Sequence, residues 1–229
     1  MSEPLARVER PAADAYHSRR KLYMVFLVFW HDSAPQEYKD RCAKYWRQVG
    51  EQLLNLESKA GAVKHVYHEA IHETGEAGLA LVKKFNPSSH DLVAARCADG
   101  ATLEALEDRE LAAEVSDWER FLMMGYSSAK VGDLVRDLYA EAVKRRNEHV
   151  VKVMDSTLGA GEAGLLLIGE GHRLQFPSDI EVFSVVPPAL DELHRWLRDQ
   201  ANRPGGEEDA DAAAEEAAGT DGEKDGEEA

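Results

Sequence analysis

A helical repeat that runs from Lys130 to Leu158 passes through a glycine-containing turn straight into an uninterrupted apolar run, Gly164–Ile168 (GLLLI). This junction leaves few folds open, because a strand that is apolar on both faces has to be covered on both sides. The upstream run Lys21–Trp30 (KLYMVFLVFW) is likewise apolar at odd and even positions, as expected of a second interior strand. Strands of this kind separated by helical patterns define an α/β protein, a layered sheet with helices on both faces. The long helix links an N-terminal β-α-β part to a smaller C-terminal α-β-β-α part.

Punctuation along the chain supplies the other elements. His31–Pro35 breaks the first strand, and Tyr38, Cys42, Tyr45, Trp46, Val49, Leu53 and Leu56 then recur at helical spacing until Gly61 stops them. Ala62–Ile71 is rich in Val, Ile and Tyr and reads as a strand that completes the β-α-β unit. Covering helices are expected over 76–85 and 90–98, a short edge strand over 101–106, and a further helix over 107–124. After the long helix and GLLLI, Ile180–Val186 reads as a strand, and Pro187-Pro188 opens the final helix. The expected organisation is a mobile arm, 1–20; an N-terminal α/β domain, 21–126; the long helix with a C-terminal α/β domain, 128–200; and a disordered acidic tail, 203–229.

Charge is concentrated in that tail. The chain carries a net −16, and residues 203–229 hold eleven acids against Arg203 and Lys224 with no large apolar residue. Such a segment buries too little surface to offset the entropy of ordering, and it offers itself to a protein partner. The acidic body excludes nucleic-acid binding by bulk charge, so any RNA contact has to come from a local cationic patch. The longest all-apolar run, Leu22–Trp30, has nine residues, where a bilayer span needs about twenty, so no membrane partner is expected. With no secretory pattern at its start, the chain is expected in the cytoplasm. Cys42 and Cys97 sit far apart within helical patterns and read as core residues.

Three motifs bear on chemistry. Gly159-Ala160-Gly161-Glu162-Ala163-Gly164 spells the dinucleotide fingerprint, but it follows a helix and opens a strand. That is the reverse of the context that puts phosphate at a helix N-terminus, so helix termination is the reading. His68-Glu69-Ala70-Ile71-His72 is a literal HExxH, with His65 three residues before it. On a helix His68 and His72, with His65, would hold zinc and Glu69 would be the general base of a hydrolase. As a strand, the preferred reading, the segment divides these side chains between two faces and leaves no cofactor site. The loop Gly169–Asp179 (GEGHRLQFPSD) carries His172 and Arg173 between two buried strands, where open α/β sheets place ligands. There Arg173 either grips a phosphate or carboxylate or pairs with Asp179. Lys144, Arg145 and Arg146, with Arg136 on the same helix, form the main cationic cluster of the body.

The order of a long helix, GAGEAGLLLI (Gly159–Ile168), a polar loop and a strand-helix pair resembles the opening of the C-terminal domain in the archaeo-eukaryotic peptide-release-factor and Pelota group, including its shortened bacterial relatives. An acidic C-terminal tail also occurs in that group. No Gly-Gly-Gln is present, so the resemblance does not extend to peptidyl-tRNA hydrolysis. What it implies is a non-catalytic factor that touches the ribosome or RNA, with Arg136, Lys144, Arg145, Arg146, His172 and Arg173 as contacts. The alternative is the zinc-dependent hydrolase built on His68, Glu69 and His72.

Overall fold

Successive apolar residues put β1 (Arg20–Phe26) inside a sheet, with Leu22, Tyr23 and Val25 fully buried. A computed structural model describes residues 18–202, so the mobile arm expected over 1–17 and the disordered acidic tail expected over 203–229 lie outside the described residues. After β1 come α1 (Gln36–Ala60), β2 (Val63–His68), α2 (Gly75–Phe85), α3 (Pro87–Ala98) and β3 (Thr102–Leu103). Then follow α4 (Arg109–Met123), α5 (Ala129–Thr157), β4 (Ala163–Ile168), β5 (Ile180–Val185) and α6 (Pro188–Ala201). The protein is α/β, and its five strands form one parallel sheet in the order β3-β2-β4-β1-β5.

Two compact units are present, residues 18–29 with 49–186 and residues 30–48 with 187–202. The first contains the whole sheet. Its register places Met24, Leu166 and Tyr67 on one face and Tyr23, Leu165 and Val66 on the other. Val150 and Met154 from the C-terminal half of α5, with Leu158 just past its end, cover the first face. Each such side chain contributes about 1.5–3 kcal/mol by leaving water. The Tyr67 hydroxyl donates to Thr157 Oγ1 at 2.7 Å, and the Thr157 hydroxyl passes the chain on to Val153 O. On the second face Tyr23 donates to Gly61 O at 2.7 Å, just past the end of α1, and His68 meets Ser89 of α3. On the first face Gly164 allows close packing, since a Cβ at this position would come within 2.9 Å of the Tyr67 ring.

Several expectations need correction. β4 lies between β1 and β2, so strands from 21–126 and 128–200 interleave in a single sheet, and 125–128 is a turn between two helices. A parallel sheet demands long crossovers, and a helix pair serving as a crossover has the same sequence pattern as a linker between domains. Arg20, the end of the expected arm, is the first residue of β1, and its guanidinium is clamped by Asp155 and Asp179. β1 ends at Phe26 and not at Trp30, and Phe29 is exposed. The edge strand β3 is only two residues long. α3 starts at Pro87, where Asn86 caps the Ser89 N–H and proline suits the first turn.

The second unit contains the N-terminal half of α1 and all of α6. Trp196 stacks on Tyr38 with ring centroids 5.6 Å apart, and Arg41 lies 5.7 Å from the Trp196 ring. Lys44 pairs with Glu192, and Gln48 Oε1 accepts the Ala189 N–H, one of the bonds that the start of α6 cannot make within the helix.

Candidate functional site

At the C-terminal ends of β2 and β4, two strands, one loop and one helix converge on an arginine. β2 stays paired through Glu69 N–H to Leu167 O, and the chain then turns at Ala70, which has a φ of 68°. This turn directs the Glu69 carboxylate across the sheet edge: Oε2 accepts the Gly169 N–H at 2.6 Å and Oε1 accepts Arg146 Nη2 at 2.9 Å. The same guanidinium reaches Glu107, donating from Nε to Oε2 at 3.0 Å and from Nη2 to Oε1. Glu107 is held in place by its own N–H to Ile71 O, and its side chain is 1% exposed. Burial works against the charge on Arg146, but its bonds to Glu107 and then Glu69 outweigh this, so its pKa lies above the ordinary guanidinium value. The cluster is a bidentate clamp with one surplus negative charge.

From this clamp the loop 169–179 runs back across the sheet, with Leu174 and Phe176 packed on the core beneath α5. His172 lies between Phe26 and Phe176, with each pair of ring centroids 6.3 Å apart. Burial lowers the His172 pKa, and the Glu69 charge opposes this only in part, so the ring is neutral at physiological pH. Its Nδ1 faces the Leu174 N–H at 3.4 Å and acts as acceptor, which leaves the proton on Nε2. Arg173 beside it is exposed, and among the described residues it makes no ion pair. Asp179, the expected alternative partner, is bound by Arg20 instead. Tyr139 of α5 borders this edge; burial and the Glu119 charge raise its pKa, while the charges of Arg146 and Arg173 act in the opposite sense.

The other expected cations are neutralised within the chain. Arg145 donates to Glu114 at 2.6 Å, Arg136 pairs with Asp133 one turn earlier, and Lys144 lies 3.9 Å from Glu148. Of the six binding residues expected from sequence, the fold brings Arg146, His172 and Arg173 to one edge, with Glu69 among them. Glu107 and Gly169 complete the cluster unannounced. Glu107 stands 39 residues from Arg146, and nothing in its neighbourhood distinguishes it from a first-turn acid of the following helix.

The HExxH segment does not form the helical zinc arrangement. Residues 63–68 are strand, and His65 and His68 point to opposite faces, paired in register with Gly164 and Leu167. Glu69 O can only accept, so His68 Nδ1 donates to it at 2.5 Å, and Nε2 lies 3.1 Å from Ser89 Oγ, a hydroxyl that also donates to Asn86 O at 3.0 Å. Burial lowers the pKa of His68, in keeping with this neutral ring. His65 lies between Glu104 at 2.8 Å and Glu162 at 3.3 Å, and Glu69 belongs to the arginine clamp. His72, in the turn after β2, is partly exposed. Among the described residues no group of three or more His, Cys, Asp or Glu is arranged to hold a metal ion. Among them, too, no helix is long and apolar enough to cross a membrane.

No protein-family model, curated protein or solved structure matches the chain.

Proposed function

We propose that the protein is a non-catalytic binding protein that takes a small carboxylate- or phosphate-bearing ligand at the loop 169–179. The observation that carries this reading is Arg173, an exposed guanidinium without an ion partner among the described residues, at the C-terminal edge of a parallel sheet. Such edges are where open α/β sheets bind ligands. A guanidinium offers a planar fork to a carboxylate or phosphate, and the neutral His172 adds one N–H without adding charge. The Glu69–Arg146–Glu107 clamp fixes the loop by holding the Gly169 N–H. A small anion is favoured over a polynucleotide or the ribosome, because a phosphate track needs several free cations and Arg136, Lys144, Arg145 and Arg146 all have carboxylate partners.

Calorimetric titration of the full chain with inorganic phosphate, citrate and a mononucleotide tests the reading, with co-sedimentation on ribosomes in low salt run alongside. Saturable binding of at least one small anion is expected, weakened about tenfold or more by Arg173→Ala and unchanged by Arg145→Ala. Absence of binding to all three, or binding indifferent to Arg173→Ala, refutes it. Salt-sensitive sedimentation with ribosomes that Arg145→Glu abolishes would support the RNA-associated role instead.

A further inference from the structure

A different surface, the N-terminal half of α5, carries an unsatisfied apolar strip. Val135 and Ala142 of this helix are buried, but Val131 is 44% and Leu134 58% exposed, and with Leu138 they keep the three-four spacing of a coiled-coil seam. Lys130 and Asp137 stand seven residues apart along that seam, on its side away from Val135 and Ala142. Both are exposed, and among the described residues neither makes an ion pair. Nearby charges are already balanced, Asp133 by Arg136 and Asp117 by Arg120. Phe121, Met123 and Met124, at the end of α4, are exposed as well.

We propose that this strip is the contact of a symmetric homodimer, in which α5 packs antiparallel on α5 of a second copy. With Val131 over Leu134 of the partner subunit, antiparallel seam geometry puts the residue before the first against the residue three beyond the second. Lys130 then meets Asp137 of the partner subunit, and the two-fold axis makes the same pair again on the other side. A parallel arrangement forfeits both pairs, because there the position facing Lys130 is Val135 of the partner subunit, already buried in its own chain. The occupant is a copy of this chain because Lys130 and Asp137 are spaced to satisfy each other across a two-fold axis, while Glu141, exposed a turn further on, lies beyond the two apolar layers that this register pairs. Both copies are acidic, so a seam that sets a lysine against an aspartate is where they can approach.

Sedimentation equilibrium of the full chain, run over about a thousandfold range of concentration, reads the contact. A reversible monomer–dimer equilibrium is expected. Leu134→Glu should abolish it with the far-ultraviolet circular dichroism unchanged. Lys130→Asp and Asp137→Lys should each weaken self-association by about tenfold, since two ion pairs become two like-charge contacts. An equimolar mixture of these two single variants should dimerise again, as should the double variant K130D/D137K. A wild-type mass that stays at one copy throughout overturns the proposal, whatever else binds the strip. So does a dimer indifferent to Leu134→Glu, or a mixture that associates no better than its components.

Discussion

At the scale of single residues, the fold has settled where protons reside. His68 is enclosed as a neutral ring that donates from Nδ1 to Glu69 O, and burial pushes its pKa below 6.5, the ordinary value. His172, between two phenylalanine rings, is shifted in the same direction. An unfolded chain takes up protons at both positions as the pH falls through 6.5, and the folded one resists. The contribution of these rings is therefore complete above that value and is lost on acidification below it. The melting temperature should fall between pH 6.5 and pH 5, ahead of any carboxylate titration. His68→Gln should lower it at pH 7.5 but flatten that fall; a variant that keeps the wild-type slope would show that His68 does not supply it. Ala70, in the left-handed region between His68 and the buried Ile71, is a residue-scale cost of the turn that aims Glu69.

Between elements, Arg146 is the joint. It ties α5 to the end of β2 through Glu69 and to the segment before α4 through Glu107, while Glu69 extends the tie to β4 through Gly169. Because Glu107 is 1% exposed, removing the arginine leaves a carboxylate with nowhere to discharge. Arg146→Met should cost about 3–5 kcal/mol in urea unfolding, and Glu69→Gln, at a carboxylate 25% exposed, about 1 kcal/mol. Equal losses from the two would contradict this division of roles. Elements of this kind were legible in the sequence wherever one rule decided them: the apolar β1 and β4, the glycine stop at Gly61, and the helical repeat of α5. Two features were not. The single sheet escaped because strand order is a matter of which crossover returns where, and local pattern is silent on it. The clamp escaped because its members come from four separate stretches of chain, and an arginine within Lys144–Arg146 looks like any solvated cation until its carboxylates are placed. A strand before HExxH was legible, since the Val and Tyr content of 63–68 favours a pleated surface, but the expected strand over 62–71 ends at His68, and Glu69–His72 form a turn and loop.

For the molecule as a whole, α5 divides into two regimes. Its last turns, around Val150 and Met154, lie on the sheet with almost no exposure, while its first turns, around Val131 and Leu134, are open to water. Opening the first gives up little of the core beyond Val135, and opening the second requires nearly global unfolding. Amide hydrogen exchange at low protein concentration should show protection at 150–154 greater than at 131–134 by at least about a hundredfold, a gap of some 3 kcal/mol. Uniform protection along the helix would mean that α5 moves as one cooperative piece. Arg20 has a practical meaning at this scale. Bolted to Asp155 and Asp179, it fixes where the polypeptide enters the sheet, at the rim opposite Arg173. An affinity tag or surface tether attached ahead of Ser18 would therefore leave the stretch around Arg173 turned toward the solution, whereas a graft into residues 170–173 would cover it.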